Sequence, residues 1–166
     1  PLVNRFEKVI IVPHEVNDYY LNYYCSVLED NDFSFKKINQ YQNFNQFEEE
    51  YIIINKVGFL SKLYAQSTIA YVGGGFSKSG IHNIIEPAAA SNPVIFGSNF
   101  LNSNKSDAEG LIDVSGGFSV DSYELFSEKI NWLLDKNNYN NSSKNCKTFV
   151  TENSGSTEKI LKELYE

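Results

Sequence analysis

Four short segments contain most of the residues that could bind a nucleotide or a sugar. The most informative is His82-Asn83-Ile84-Ile85-Glu86-Pro87, where Asn83 and Glu86 stand three residues apart and would share one face of a helix. A glutamate one turn into a helix can accept hydrogen bonds from two adjacent hydroxyls, as on a ribose. The proline that follows is tolerated in the first turns of a helix, so it fixes the helix start and the position of Glu86. The competing interpretation is a glutamate that simply favours a helix N-terminus.

A run of three glycines, Gly73-Gly74-Gly75, precedes that segment and is followed by Phe76-Ser77-Lys78-Ser79-Gly80. Successive glycines at the end of a strand leave room for a bulky ligand and expose backbone donors. The spacing matches neither a P-loop nor the dinucleotide-binding pattern, so taken alone the glycines indicate no particular ligand.

The other two segments are Pro13-His14-Glu15 and Val57-Gly58-Phe59. A histidine directly after a strand can donate to a phosphate or ring oxygen, although a solvated turn would hold the same residue without a function. Backbone N–H groups at a helix start are unpaired and can bind a base edge or a phosphate, and Gly58 would let a ligand approach them. Without other support, an ordinary strand-to-helix turn is the simpler interpretation of the second segment.

Strands and helices alternate along the sequence, and they must position these segments. The continuous apolar runs 9–12 and 51–54 are typical of strands buried in a parallel sheet. Further strands are predicted at 33–38, 69–72, 93–96 and 118–120. The alternation predicts an α/β fold, with a Rossmann-like parallel sheet and helices on both faces. Ligands bind such sheets at the carboxyl ends of the strands, where all four segments fall.

Helices are predicted at residues 18–30, 58–66, 82–90, 108–112 and about 121–136, and the tail is predicted to hold two more, divided near Asn153-Ser154-Gly155. Asp121 followed by Glu124 has the spacing of a capping box at the start of the fifth helix. The apolar face of that helix would contain Phe126, Ile130, Leu133 and Leu134. Residues 39–50 are predicted to be a loop or weak helix, 101–107 a polar loop, and the asparagine-rich residues 137–143 a surface turn.

Composition is that of an ordinary globular domain. The 166 residues are 42% hydrophobic and 21% charged, enough for one domain with its own core. The net charge of -7 argues against a nucleic-acid partner and against docking of the whole surface on anionic lipid. The sequence has no apolar run of bilayer-spanning length and no signal peptide. Its two cysteines, Cys25 and Cys146, lie far apart without metal-ligand spacing, which predicts a reduced cytoplasmic setting. A start at Pro1 and the absence of Met predict a fragment of a longer protein.

Together, several motifs resemble the 3-deoxy-D-manno-octulosonic acid (Kdo) transferase family. They are Gly58-Phe59-Leu60 with Tyr64, then residues 70–76, 80–89 and 92–97, and the resemblance covers about residues 9–134. It implies a two-domain GT-B glycosyltransferase that moves Kdo from CMP-Kdo onto a lipid A precursor in lipopolysaccharide biosynthesis. Residues 1–166 would be a single C-terminal domain that binds the nucleotide sugar.

The resemblance also implies which residues contact the nucleotide. They are Pro13 and His14, then Val57, Gly58 and Phe59, and then Asn83, Ile84, Ile85 and Glu86, with Glu86 on the ribose. Gly74 and Gly75 would leave space near the phosphate and the Kdo group. Many members have an arginine where this chain has His14, so Lys78 or His82 would have to meet the phosphate charge.

The remaining chemistry is expected in an N-terminal domain. The resemblance places the catalytic carboxylate, the surface for the lipid A precursor and the membrane anchor there, so no catalytic residue is predicted in this chain. The full-length protein is expected at the cytoplasmic face of the bacterial inner membrane, with this part soluble. No Asp-x-Asp metal motif appears near the site, and neither a metal nor a cofactor is predicted.

Other functions compete with this one. Another GT-B transferase, or an epimerase with a UDP-sugar donor, could use the same glycine loop and glutamate. A non-catalytic nucleotide-sensing or scaffolding domain would keep the fold for assembly alone. A flavodoxin-like signalling domain would need an acidic cluster after the first strand, where Pro13-His14 stands instead.

Overall fold

A computed structural model describes residues 5–40, 43–76, 80–100 and 105–155 of the chain. Strands and helices alternate as predicted: β1 Val9–Ile11, α1 Asp18–Glu29, β2 Phe35–Ile38, β3 Tyr51–Ile54, α2 Leu60–Tyr64, β4 Ala70–Val72, α3 Ile85–Ala89, β5 Val94–Gly97, α4 Lys105–Asp113, β6 Gly117–Val120, α5 Tyr123–Leu133 and α6 Lys136–Asn153. A 3₁₀ turn, Phe44–Gln46, interrupts the loop before β3. The chain divides into two compact units, Pro1–Leu60 (unit 1) and Ser61–Glu166 (unit 2).

Unit 1 contains a three-stranded parallel sheet in the order β1-β3-β2. The central strand β3 is buried along its whole length, as a continuous apolar run predicts. Helix α1 buries Leu21, Cys25 and Leu28, spaced four and three residues apart, in one cluster with Tyr51 and Ile53 of β3. Side chains of this size stabilise the fold by about 2 kcal/mol each when they leave water.

Unit 2 contains a second three-stranded parallel sheet, in the order β4-β5-β6. One face of this sheet contributes Val72, Val94 and Phe96 to a core shared with α3, α4 and α6. On the opposite face, ring contacts join Tyr71 to Phe126 and Phe118 to Trp132 of α5. Helices therefore cover both faces of this sheet, as the alternation predicted.

Helix α6 corrects the prediction of a surface turn at residues 137–143. Asn137 through Ser143 belong to this 18-residue helix. Its N-cap is Asp135, whose Oδ1 accepts from the backbone N of Asn137 at 2.9 Å and from that of Asn138 at 3.0 Å. Asparagine is a poor helix former, but the helix packs against α3, α4 and α5 and buries Cys146 completely. Tertiary packing therefore outweighs the low helix propensity of the asparagines.

The start of α5 also differs from the prediction. Ser122, not Asp121, is its N-cap, and the Ser122 hydroxyl oxygen accepts from the backbone N of Leu125 at 3.2 Å. Glu124 is therefore one residue too early to close a capping box. Ile130 and Leu133 are buried as predicted, whereas Leu134 follows the end of the helix and is 44% exposed.

Helices α2 and α4 also differ from the predictions in their bounds. Helix α2 occupies only Leu60–Tyr64 of the predicted 58–66, and α4 begins at Lys105 rather than 108. The predicted division of the tail agrees with the end of α6 at Asn153, and the last predicted helix falls in residues 156–166, outside the described residues. Within the ranges given above, no helix has the length and apolar composition needed to cross a membrane.

Helices α1, α3 and α4 end in the same left-handed turn, the Schellman motif. The residue at C′ has a positive φ in each case: 57° at Asp32, 67° at Ser91 and 58° at Ser115. The two closing hydrogen bonds between backbone N and O atoms are present each time. They join Asp32 to Glu29 and Phe33 to Leu28 after α1, Ser91 to Ala88 and Asn92 to Pro87 after α3, and Ser115 to Ile112 and Gly116 to Leu111 after α4. Glycine usually occupies this position, and none of the three helices has it there.

Candidate functional site

In unit 1, two predicted segments lie at one edge of the sheet. Pro13-His14-Glu15 follows β1 and Val57-Gly58-Phe59 follows β3, and these strands are parallel neighbours. The carboxyl ends of neighbouring parallel strands meet at the same edge, which is where ligands bind in such sheets. The fold therefore places these two segments side by side.

A small cavity adjoins the first segment. His14 and Glu15 line a cavity of about 120 Å³ together with Tyr20 and Tyr24 of α1. Asn17 connects two of the lining residues. Its Nδ2 donates to Glu15 Oε2 at 3.0 Å, and its Oδ1 caps α1 by accepting from Tyr20 N at 3.0 Å. Ligand pockets usually measure roughly 300 Å³ or more, so this cavity is too small for a whole nucleotide.

Gly58 meets the requirement for close approach of a ligand to the backbone. Its φ of +92° is a conformation that side-chain-bearing residues rarely adopt, and an added Cβ would meet nothing within 4 Å. The residue before it, Val57, is 75% exposed. Space next to this turn is therefore open, as a ligand contact would require.

In unit 2, the glycine loop folds back on the end of β5. Gly74 and Gly75 have φ values of +93° and +78°, and added Cβ atoms would lie 2.5 Å from Gly80 O and 2.6 Å from Gly97 O. Gly75 N also donates to Gly80 O at 2.6 Å. Both glycines are thus required by the loop itself, and their expected role beside a phosphate or sugar stays a prediction.

The open position of this loop is Gly73, which the sequence analysis did not single out. An added Cβ at Gly73 would meet nothing within 4 Å, and its carbonyl oxygen accepts from His82 N at 3.4 Å. His82 is therefore anchored beside the end of β4, whereas Lys78 lies outside the described residues. A sequence shows three equal glycines, and only the backbone geometry separates the open position from the two filled ones.

The segment around Asn83 is arranged differently from the prediction. Helix α3 begins at Ile85, so Asn83 precedes the helix instead of lying in its first turn. Its Oδ1 accepts from Ile85 N at 3.0 Å and from Glu86 N at 3.3 Å. These two backbone donors are satisfied within the chain, and Ile84 is fully buried. Asn83 therefore fixes the start of α3, and the nucleotide contacts predicted for Asn83, Ile84 and Ile85 stay predictions.

Glu86 is half-buried, and its carboxylate accepts no hydrogen bond from any residue in the described part of the chain. Among the described residues, none competes with the hydroxyl groups of a ligand for these two oxygens. Burial first and the negative charge of Glu86 second raise the pKa of the hydroxyl of Tyr64, at the end of α2, so the two side chains lie within electrostatic range of each other. In the sequence, Tyr64 was only part of the family motif and was not predicted as a site residue; its polar hydroxyl was the available signal.

Metal ligands do not cluster near these segments. Across residues 5–40, 43–76, 80–100 and 105–155, no three His, Cys, Asp or Glu side chains come together as a metal site would require.

Comparison with known proteins gives related sequences and a related structure. No family model matches the sequence. The chain is 30% identical over 146 residues to a bifunctional glycosyltransferase/methyltransferase of Fusobacterium nucleatum, which covers 87% of this chain. It is 30% identical over 118 residues (69% of this chain) to a 3-deoxy-D-manno-octulosonic acid transferase of Rickettsia bellii, and 29% identical over 163 residues (96%) to one of Chlamydia trachomatis. The chain spans 22%, 27% and 37% of the lengths of these relatives.

A solved structure shares the fold. The C-terminal CMP-Kdo binding domain of WaaA from Acinetobacter baumannii matches with a TM-score of 0.71 over 86% of this chain and 73% of that domain, at 17% sequence identity. This match and the glycosyltransferase relatives define the chain as a glycosyltransferase domain with the α/β fold of the C-terminal half of a GT-B enzyme. Within that class the chain is related to the Kdo transferases, which confirms the resemblance found in its motifs.

Proposed function

We propose that this chain is the donor-binding domain of a Kdo transferase and that it binds the CMP part of CMP-Kdo. The observation on which the proposal depends is the half-buried Glu86 carboxylate, which the described residues leave without a hydrogen-bond partner. A carboxylate in this state can accept from two neighbouring hydroxyls, such as those of a ribose. The Kdo transferase relatives and the solved CMP-Kdo binding domain of the same fold support this donor.

The proposed nucleotide contacts in unit 1 are Pro13, His14 and the turn Val57-Gly58-Phe59. The open turn at Gly58 and the cavity beside His14 support them. In unit 2 the proposal adds Gly73 and His82 near the phosphate, because Asn83 already occupies the first backbone donors of α3. His82, with Lys78, would then meet the negative charge that an arginine meets in many members of the family.

For the whole protein we propose transfer of Kdo to a lipid A precursor at the cytoplasmic face of the bacterial inner membrane. A hydroxyl oxygen of the acceptor attacks the anomeric carbon of Kdo, and the bond from that carbon to the CMP phosphate oxygen breaks with inversion. The proton of the hydroxyl goes to a base in an N-terminal domain. The residues of this chain hold CMP and stabilise the phosphate as it leaves. Alone, the chain is expected to bind CMP weakly and to transfer nothing.

Calorimetric titration with CMP and UDP tests the proposal. The chain is expected to bind CMP more tightly than UDP, and Glu86→Gln is expected to weaken CMP binding about tenfold or more, because a hydrogen bond to a charged group contributes about 1.5 kcal/mol or more. Glu109→Gln is the matched control, since it makes the same charge change at an exposed residue of α4 paired with Lys105.

Two results would contradict the proposal. A preference for UDP would indicate another GT-B transferase or an epimerase. Equal CMP affinity in the wild type and in Glu86→Gln would rule out the ribose contact on which the proposal depends.

A further inference from the structure

Asn92, in the turn between α3 and β5, is a buried amide with a fixed set of partners. It is 1% exposed, and its Nδ2 donates to the carbonyl oxygen of Tyr64 at 2.7 Å. Its backbone N donates to Pro87 O at 3.1 Å, and its own carbonyl oxygen accepts from Cys146 Sγ at 3.2 Å. One of these bonds is made by the side chain and two by the backbone, so both parts of Asn92 are held in place. Breaking the side-chain bond would leave a buried amide group unsatisfied.

These bonds join the ends of two helices. Tyr64 is the last residue of α2, and Asn92 closes the Schellman turn that ends α3. Helix α3 is only five residues long, too short to be stable alone, so its position depends on the packing of Ala88 in the core and on the bonds at its ends. Glu86 is the second residue of that helix, and its carbonyl oxygen accepts from Ala90 N at 3.3 Å, one turn before Asn92.

The turn also holds a strained residue. Ser91 has a φ of 67°, in the left-handed region that costs roughly 1 kcal/mol for a residue with a side chain. The next residue, Asn92, is bonded to Tyr64 of α2 and to Cys146 of α6, and these bonds help to hold the turn in this conformation.

We propose that Asn92 is a positioning residue of the nucleotide site, whose bond to the Tyr64 carbonyl fixes the spacing between Tyr64 and the Glu86 carboxylate. This inference rests on the proposed function, because it gives the spacing a role in nucleoside binding. Tyr64 would form one wall of the nucleoside site and Glu86 the other. Without the bond, the packing of α3 against the core remains, but the direct link between its end and the end of α2 is lost.

The test compares three variants of the full chain. Asn92→Asp keeps the shape of the side chain but replaces the Nδ2 donor with an oxygen, and Asn92→Ser is too short to reach Tyr64. Cys146→Ala is the matched control, because it removes a different hydrogen bond to Asn92 and leaves the bond to Tyr64 in place. The measurements are CMP affinity by calorimetry, thermal unfolding, and amide hydrogen exchange at residues 86–92 without nucleotide.

Both Asn92 variants are expected to bind CMP about tenfold more weakly and to exchange about tenfold faster at residues 86–92, because a loosened supporting bond misplaces the site. Cys146→Ala is expected to lower the unfolding temperature with neither change. Wild-type CMP affinity in the Asn92 variants would overturn the inference. An equal loss of affinity in Cys146→Ala would also overturn it, because the role of Asn92 would then be purely structural. Failure of both Asn92 variants to fold would overturn it for the same reason.

Failure of the proposed function gives a different pattern. If the wild type binds no CMP, the proposed function fails, and hydrogen exchange alone decides the role of Asn92 in the spacing. Fast exchange at residues 86–92 confined to the Asn92 variants then supports the positioning role, and the same exchange in Cys146→Ala overturns it.

Discussion

At the scale of single residues, the surroundings of each side chain decide what its chemistry can do. Glu86 and His14 could be chosen from the sequence because they follow strands in an α/β pattern. Three features could not be foreseen: the open position at Gly73, the capping bonds of Asn83 and the nearness of Tyr64 to Glu86. These depend on backbone dihedral angles and on contacts between distant segments, which no spacing rule contains.

Cys146 is a buried thiol with a structural role. Its Sγ donates at 3.2 Å to the carbonyl oxygens of both Asn92 and Gly116, and burial raises the pKa of the thiol from 9.0 to about 12. The sequence analysis excluded this cysteine from metal binding but had no means to place it in the core. A thiol that stays neutral in the folded state is also a poor nucleophile.

The raised pKa of Cys146 predicts a loss of stability at high pH. Above pH 9 the thiol ionises in the unfolded chain but not in the folded one, so stability is fully present below pH 9 and falls as the pH rises towards 12. At pH 10 the loss is about 1.4 kcal/mol. Urea unfolding between pH 8 and 10 measures it, and comparison with Cys146→Ala separates it from the contribution of Tyr51, Tyr64 and Tyr71, whose pKa values burial also raises.

Cys146→Ala is the control for this effect. Its stability should be lower than that of the wild type at pH 7, because a buried group is lost, but should change less between pH 8 and 10. Parallel pH profiles of the two proteins would show that another group causes the decline.

At the scale of helices and strands, the type of element was more predictable than its ends. The apolar runs correctly predicted β3 and the helical spacing correctly predicted α1. The first part of α6, residues 137–143, was wrongly predicted as a turn because its asparagines favour turns in isolation. The completely buried Cys146 of this helix comes later in the chain. The ends of α1, α3 and α4 gave no glycine signal, because aspartate or serine occupies the left-handed position.

Replacing a strained residue at one of these helix ends should stabilise the protein. Ser115 is exposed and has a φ of 58°, so Ser115→Gly should raise the free energy of unfolding by about 0.5–1 kcal/mol. This gain is the cost of the left-handed conformation for serine, minus the larger entropy that glycine loses when the chain folds. Chemical denaturation measures the change. Ser143→Gly, inside α6, is the matched control and should destabilise by a similar amount. If both variants lose stability, strain at Ser115 is not significant.

At the scale of the whole molecule, alternating strands and helices predicted the α/β class, and the resemblance to the Kdo transferases implied the GT-B relationship. The division into two compact units, each with a three-stranded parallel sheet, was not predicted. Strand pairing depends on long-range contacts, and strand periodicity alone does not specify them. That residues 1–166 act as a single nucleotide-sugar-binding domain stays a prediction.

The central claim is that the chain binds CMP through the segments after its strands. The most direct measurement is the change in backbone amide NMR shifts as CMP is added. The largest shifts are expected at His14, Gly58, Gly73 and Glu86. Shifts confined to the groove on α6 beside Lys144 and Lys147, where two lysines could attract any phosphate, would contradict the claim.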